Sequence, residues 1–135
     1  MFGDKDILKI YEKAYSDFLK KHKVECSVKI VNELEFMKIA RKSKLVRENI
    51  KEGVPVLVGA LVDHGIKDTV YLSADVLNQI TEDEKFVEAL ILHEFYHVLF
   101  KKKVKLDDLA EDLKSEERVK NAMAKEFPKL ANYVV

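Results

Sequence analysis

The sequence holds one cysteine, Cys26, and no tryptophan, with four glycines, two prolines and a single glutamine among 135 residues. A lone thiol closes no internal disulfide, which fits a reducing compartment and a small buried hydrophobe at Cys26. So little glycine and proline excludes a flexible linker, and no repeat or low-complexity block divides the chain. Net charge is also missing, since 24 Lys+Arg balance 24 Asp+Glu. No overall field draws the chain to nucleic acid or to an anionic membrane, and neither is expected as a partner. The apolar run Val54 to Val62 is nine residues long, against the roughly 20 that a membrane-spanning helix needs. Met1 to Asp6 lacks the apolar stretch of a secretory signal, so a cytoplasmic location is expected. The scarcity of glutamine beside 21 Lys and 14 Glu is the bias of proteins that work at high temperature.

What is present suffices for one core, because 47% of the residues are hydrophobic and 135 residues are about one domain's worth. Between Asp4 and Lys21, Ile7, Leu8, Tyr11, Ala14, Tyr15, Phe18 and Leu19 fall at helical spacing, with Asp4 or Asp6 available as N-cap. Val24, Cys26, Val28 and Ile30 alternate with polar neighbours and predict a strand. From Asn32 to Ile50 the signal is mixed, with Leu34, Met37 and Ala40 suiting a helix and Arg41 to Lys44 a loop. Val54 to Val62 reads as a buried strand, Asp63-His64-Gly65 as a turn and Asp68 to Leu72 as the returning strand of an antiparallel hairpin. Thr81-Glu82-Asp83-Glu84 matches a capping box, opening a helix that runs to about Phe100. Ser115 opens a last helix that Pro128 stops near Phe127.

Inside the capped helix stands His93-Glu94-Phe95-Tyr96-His97. Residues four apart lie one above the other on a helix, so two imidazoles can converge on one metal ion, while Glu94 flanks it within reach of a metal-bound water. With 4 His and 14 Glu in the chain, multiplying frequencies puts such a pentad somewhere in the sequence by chance roughly 1% of the time. The competing reading is two histidines satisfied by the core or by solvent.

A catalytic zinc takes three protein ligands, so two histidines need a third. No histidine follows His97, and the remaining candidates are Asp107, Asp108, Glu111, Asp112, Glu116 and Glu117. Glu117 is favoured, with Asn121 one turn later to hydrogen-bond a ligand histidine. Glu116 comes next, with Glu111 and the aspartates behind. His22 and His64 read as surface residues.

Thr81 to Val98 with its His93-Glu94-x-x-His97, followed by Glu117-x-x-x-Asn121, resembles the gluzincins, zinc peptidases with an HExxH motif and a third glutamate ligand. In size the chain is similar to the soluble minigluzincins, minimal versions of the catalytic domains of membrane-embedded CAAX prenyl proteases. The resemblance covers residues 68 to 127, and Asn121 stands where gluzincins often carry an acidic residue. It implies an α+β fold on a minimal zincin-like scaffold. The implied parts are an N-terminal backing helix, a small, mostly antiparallel sheet, an active-site helix and a glutamate helix, within a single domain spanning residues 1–135.

It also implies zinc as cofactor, held by His93, His97 and Glu117, with Glu94 as general base in peptide-bond hydrolysis. The strand above the active-site helix is expected at a sheet edge, either open or covered by this chain's own residues. There Val70, Tyr71 and Leu72 would add a peptide or unfolded-protein substrate as a further strand. Tyr96, Tyr133 and Arg118 are candidate oxyanion stabilisers. Residues 129–135 are apolar for a terminus. They are expected to dock in a groove of this chain or of a second copy, which would give latency or self-association, or to form a final strand or core plug. The alternative function is a non-catalytic or latent zinc-stabilised scaffold for protein interactions, against which the intact Glu94 argues.

Overall fold

The computed structural model describes residues 1–41, 60–63, 68–100 and 109–133, and of residues 40, 60–63 and 109–116 the backbone alone. Helix α1, Asp4–Leu19, buries Ile7, Ile10, Tyr11, Ala14 and Phe18, a stripe with the three-and-four spacing of a helix. Leu8 and Leu19, expected on it, are exposed. The N-cap is Gly3 rather than Asp4 or Asp6. Asp6 acts from inside the first turn, where its carboxylate accepts the Gly3 N–H at 2.8 Å and meets the positive end of the helix dipole.

Strand β1 is Ser27–Ile30. Helix α2, Glu33–Ala40, follows, with the Asn32 side chain accepting the Glu35 N–H at 2.9 Å. The helical signal of Leu34, Met37 and Ala40 therefore prevails as far as Arg41, although among the described side chains of α2 Phe36 is the buried one and Leu34 is exposed. Strands β2, Ala60–Asp63, and β3, Thr69–Leu72, pair antiparallel with Ala60 opposite Leu72 and Asp63 opposite Thr69. That is the expected hairpin pairing. The expected strand from Val54 to Gly59 and the turn residues His64 and Gly65 lie outside the described residues.

Two expectations about the sheet are corrected. Its strand order is β1-β3-β2, and β1 runs parallel to β3 with Ser27 opposite Thr69 and Ile30 opposite Leu72. The sheet is thus mixed rather than mostly antiparallel. Val70, Tyr71 and Leu72 lie on its central strand, whose two sides are taken by this chain's own β1 and β2, so they are not an edge. Alternation of apolar residues marks a strand but does not name its neighbour. A parallel neighbour requires a long crossover, and the residues between β1 and β2 carry the mixed signal.

Helix α3, Ala74–Ile80, has no counterpart among the sequence expectations. Ser73, fully buried, caps it by accepting the Val76 N–H, and Ala74, Val76 and Leu77 are buried. Its end alters the start of the long helix. Thr81 is extended and closes α3, while helix α4, Glu84–Leu99, is capped by Asp83, whose carboxylate accepts the Lys85 N–H at 2.9 Å. The expected Thr81 capping box is replaced by a relay in which the Thr81 hydroxyl accepts the Asp83 N–H at 3.0 Å. Helix α5, Leu109–Glu126, begins before Ser115. Helix α6, Pro128–Ala131, has Pro128 in its first turn, where the missing N–H costs nothing.

Helix α1 lies along α4 and backs it, with β2, α5 and α6 also against α4. Phe18 meets the Tyr96 ring edge-on with centroids 4.9 Å apart, and Tyr11 meets Phe95 at 5.4 Å. Two tyrosines of α1 also anchor the chain entering β1: Tyr15 donates to the Val24 carbonyl at 2.7 Å and Tyr11 to that of Cys26 at 3.3 Å. In the described residues no helix is long and apolar enough to cross a membrane.

Candidate metal centre

The pentad lies within the last two turns of α4, a helix whose inward face carries the fully buried Leu92, Phe95 and Tyr96. That burial fixes the rotation of the helix, leaving His93, Glu94 and His97 half-buried on the remaining side. The Nε2 atoms of His93 and His97 lie 3.2 Å apart, with the rings edge-on at 4.9 Å. Zinc–nitrogen bonds of 2.0–2.1 Å at the tetrahedral angle would separate two ligand nitrogens by about 3.4 Å. The two imidazoles thus already hold close to the spacing that one zinc ion demands. A hydrogen bond between neutral rings, one Nε2 protonated and the other bare, satisfies the same distance.

Glu117 does not join them. Among the described residues no three His, Cys, Asp or Glu side chains are gathered closely enough to hold a metal ion. Glu117 is exposed, as is Asn121. The reason is helical phase. Among the described side chains of α5 the buried ones are Val119 and Met123, and Glu117 precedes Val119 by two residues, about 200° around the helix. Position 116 is three residues before Val119 and seven, or two turns, before Met123, and so shares their stripe. The side chains of Asp107, Asp108, Glu111, Asp112 and Glu116 lie outside the described residues.

Glu94 has a neighbour that the sequence did not suggest. Burial pushes the Cys26 thiol above its usual range, and the negative charges of Asp68 and Glu94 add to that, against the opposing effect of a hydrogen bond with Tyr11. Cys26, read as a small buried hydrophobe, is half-buried, and its thiol feels the charges of Asp68 and Glu94. One cysteine in a period-two strand carries no sequence signal for such a position.

The oxyanion candidates lie elsewhere. Tyr96 is fully buried and its hydroxyl donates to Glu126 Oε1 at 3.2 Å. Its phenol is held far above its normal range by burial, with the Glu126 charge adding. The Arg118 guanidinium stacks over Phe100, 4.5 Å from the ring centroid. Tyr133 borders a groove of about 550 Å³ with Lys13, Glu88, Phe127 and Leu130. Of the tail, Leu130 and Ala131 pack on the core; Glu88 on the groove wall stands five residues before His93, about 140° around the helix from it. His22, read as a surface residue, is half-buried, with Nε2 at 2.8 and 2.7 Å from the two Glu126 oxygens. His64 lies outside the described residues.

Compared with models of known families, with curated proteins and with solved structures, the chain matches none.

Proposed function

We propose that this chain is a zinc-dependent metalloendopeptidase of the gluzincin type, acting on peptides or unfolded protein. The observation that carries the reading is the 3.2 Å separation of the His93 and His97 Nε2 atoms on the helix that also bears Glu94. His93 and His97 would hold the metal, and the phase of α5 favours Glu116 over Glu117 as the carboxylate that completes the set. A zinc ion so held supplies Lewis acidity toward a scissile carbonyl and toward water. Glu94, next to one ligand and half-buried, takes the proton from the attacking water and delivers it to the leaving amine. With β3 central, strand addition of a substrate falls to β2, the outer strand that packs on α4.

Metal analysis of zinc-supplied protein followed by a casein digestion assay, with Glu94→Ala as control, tests this. One bound zinc and cleavage that Glu94→Ala abolishes are expected. No zinc uptake by the folded protein would remove the proposal.

The second reading is the non-catalytic zinc-stabilised scaffold, favoured by one observation: the described residues bring together two metal ligands and not three. Zinc uptake that raises stability, without cleavage of any substrate, would select it.

A further inference from the structure

Glu126 is the last residue of α5, and its carboxylate gathers donors from two other parts of the chain. His22, just beyond α1, approaches both oxygens at 2.8 and 2.7 Å, and Tyr96 of α4 donates to Oε1 at 3.2 Å. A carboxylate only accepts, so Nε2 of His22 carries the proton. The cluster is walled by rings: Phe18 and Phe127 pack edge-on against Tyr96 at 4.9 and 6.4 Å, and His22 lies 6.0 Å from it. The rings cover part of the cluster, whose His22 and Glu126 side chains each remain 27% exposed, and partial desolvation strengthens these hydrogen bonds.

Two features connect this cluster to the imidazole pair. Tyr96 directly precedes His97, so any load on its hydroxyl bears on the turn that presents both imidazoles. One turn on, Phe100 stacks on Tyr96 with centroids 6.0 Å apart and receives Arg118 of α5 at 4.5 Å. Helix α5 is thereby seated on α4 at two points, Glu126 on Tyr96 and Arg118 on Phe100, which bracket His97 along α4. Hydrophobic packing at Val119 and Met123 holds α5 against the core but is tolerant of sliding and rotation. The directional contacts select one seating.

We propose that Glu126, acting through Tyr96 and His22, is a positioning residue that fixes the rotation and axial place of α5, and with them where its carboxylates stand relative to His93 and His97. The last step rests on the zinc reading above; the seating of α5 does not.

Amide hydrogen exchange and zinc affinity of full-length Tyr96→Phe, Glu126→Ala and Glu126→Gln test it. Tyr96→Phe removes one hydroxyl and keeps the ring, so the core survives. With charge-assisted bonds of ordinary strength lost, amides 117–126 of the metal-free protein should exchange about tenfold or more faster in Tyr96→Phe and Glu126→Ala, while the buried amides of α1 stay protected. Glu126→Gln, which still accepts from Tyr96, should recover most of that protection. Zinc affinity should fall about 10-fold in the two loosened variants and return in Glu126→Gln. Unchanged α5 exchange in both Tyr96→Phe and Glu126→Ala would overturn the seating whatever the metal does. Faster exchange with unaltered zinc affinity would overturn the positioning role. Wild-type protein that binds no zinc would remove the metal reading and, with it, the last step, leaving the exchange result to decide the seating.

Discussion

Lys13 of α1 and Glu88 of α4 meet across 3.6 Å with unequal exposure: the lysine side chain is 59% exposed, the glutamate 6%. Lys85, one turn before Glu88 and also largely exposed, reaches the same oxygen at 3.7 Å. A carboxylate has thus been drawn into the contact between the backing helix and the pentad helix, with two solvated ammonium groups around it. The Glu88 charge holds the Lys13 ammonium above the usual lysine range.

Exposed lysines lose little when removed singly. Lys13→Ala should cost about 0.5 kcal/mol, because Lys85 remains. Removing both lysines leaves a buried charge uncompensated and should cost about 3 kcal/mol or more, whereas Glu88→Leu should be neutral or stabilising. Urea unfolding followed by circular dichroism measures all three, and a severe loss in Glu88→Leu would refute this account of the pair.

Zinc should stabilise the fold by mass action, by about 2.7 kcal/mol when free zinc is a hundredfold above its dissociation constant. His93→Ala and His97→Ala should each abolish the rise in melting temperature. On the phase of α5, Glu116→Gln should weaken zinc binding at least 10-fold, and Glu117→Gln should leave it near wild type. Thermal melts at graded zinc concentration distinguish the two glutamates, and the opposite ranking would restore Glu117.

Cys26 reports on Glu94 without any metal. With its thiol above the usual range through burial and through Asp68 and Glu94, iodoacetamide at pH 8 should label Cys26 more slowly than it labels a short unfolded peptide. Glu94→Gln removes one of the charges and should speed labelling a few-fold. Equal rates in the two proteins would separate the carboxylate from the thiol.

Alkaline solution should weaken the fold through two tyrosines. Burial holds Tyr11 far above the usual tyrosine range, with Cys26 adding, and Tyr96 is raised by burial and by Glu126. Above about pH 10 these side chains ionise in the unfolded chain but not in the folded one, so the unfolded state binds fewer protons and stability falls as pH rises. Below that range their contribution is fully present. Unfolding free energies between pH 8 and 11.5 should decline, with a shallower decline in Tyr96→Phe, and parallel curves for that variant and wild type would count against a protected phenol.

Much of the helical layer was legible because a helix is a local object. The stripe Ile7, Tyr11, Ala14, Phe18 and the run around Leu92 repeat every three or four residues, and burial follows the repeat. The same locality brings His93 and His97 together, since four residues is one turn wherever the helix sits. Capping was read two residues too early, because Thr81 serves two neighbours and only the presence of α3 assigns it to the first.

Sequence alone determined, then, which segments coil, which alternate, and that two imidazoles and a carboxylate share one end of one helix. Only the tertiary structure decided that Val70 to Leu72 lie in mid-sheet, that α5 turns Glu117 to solvent, and that His22 closes on Glu126 from 104 residues away. Strand order, helix phase and long-range hydrogen bonds depend on which apolar surfaces meet. That choice belongs to the whole core, and no short window of residues contains it.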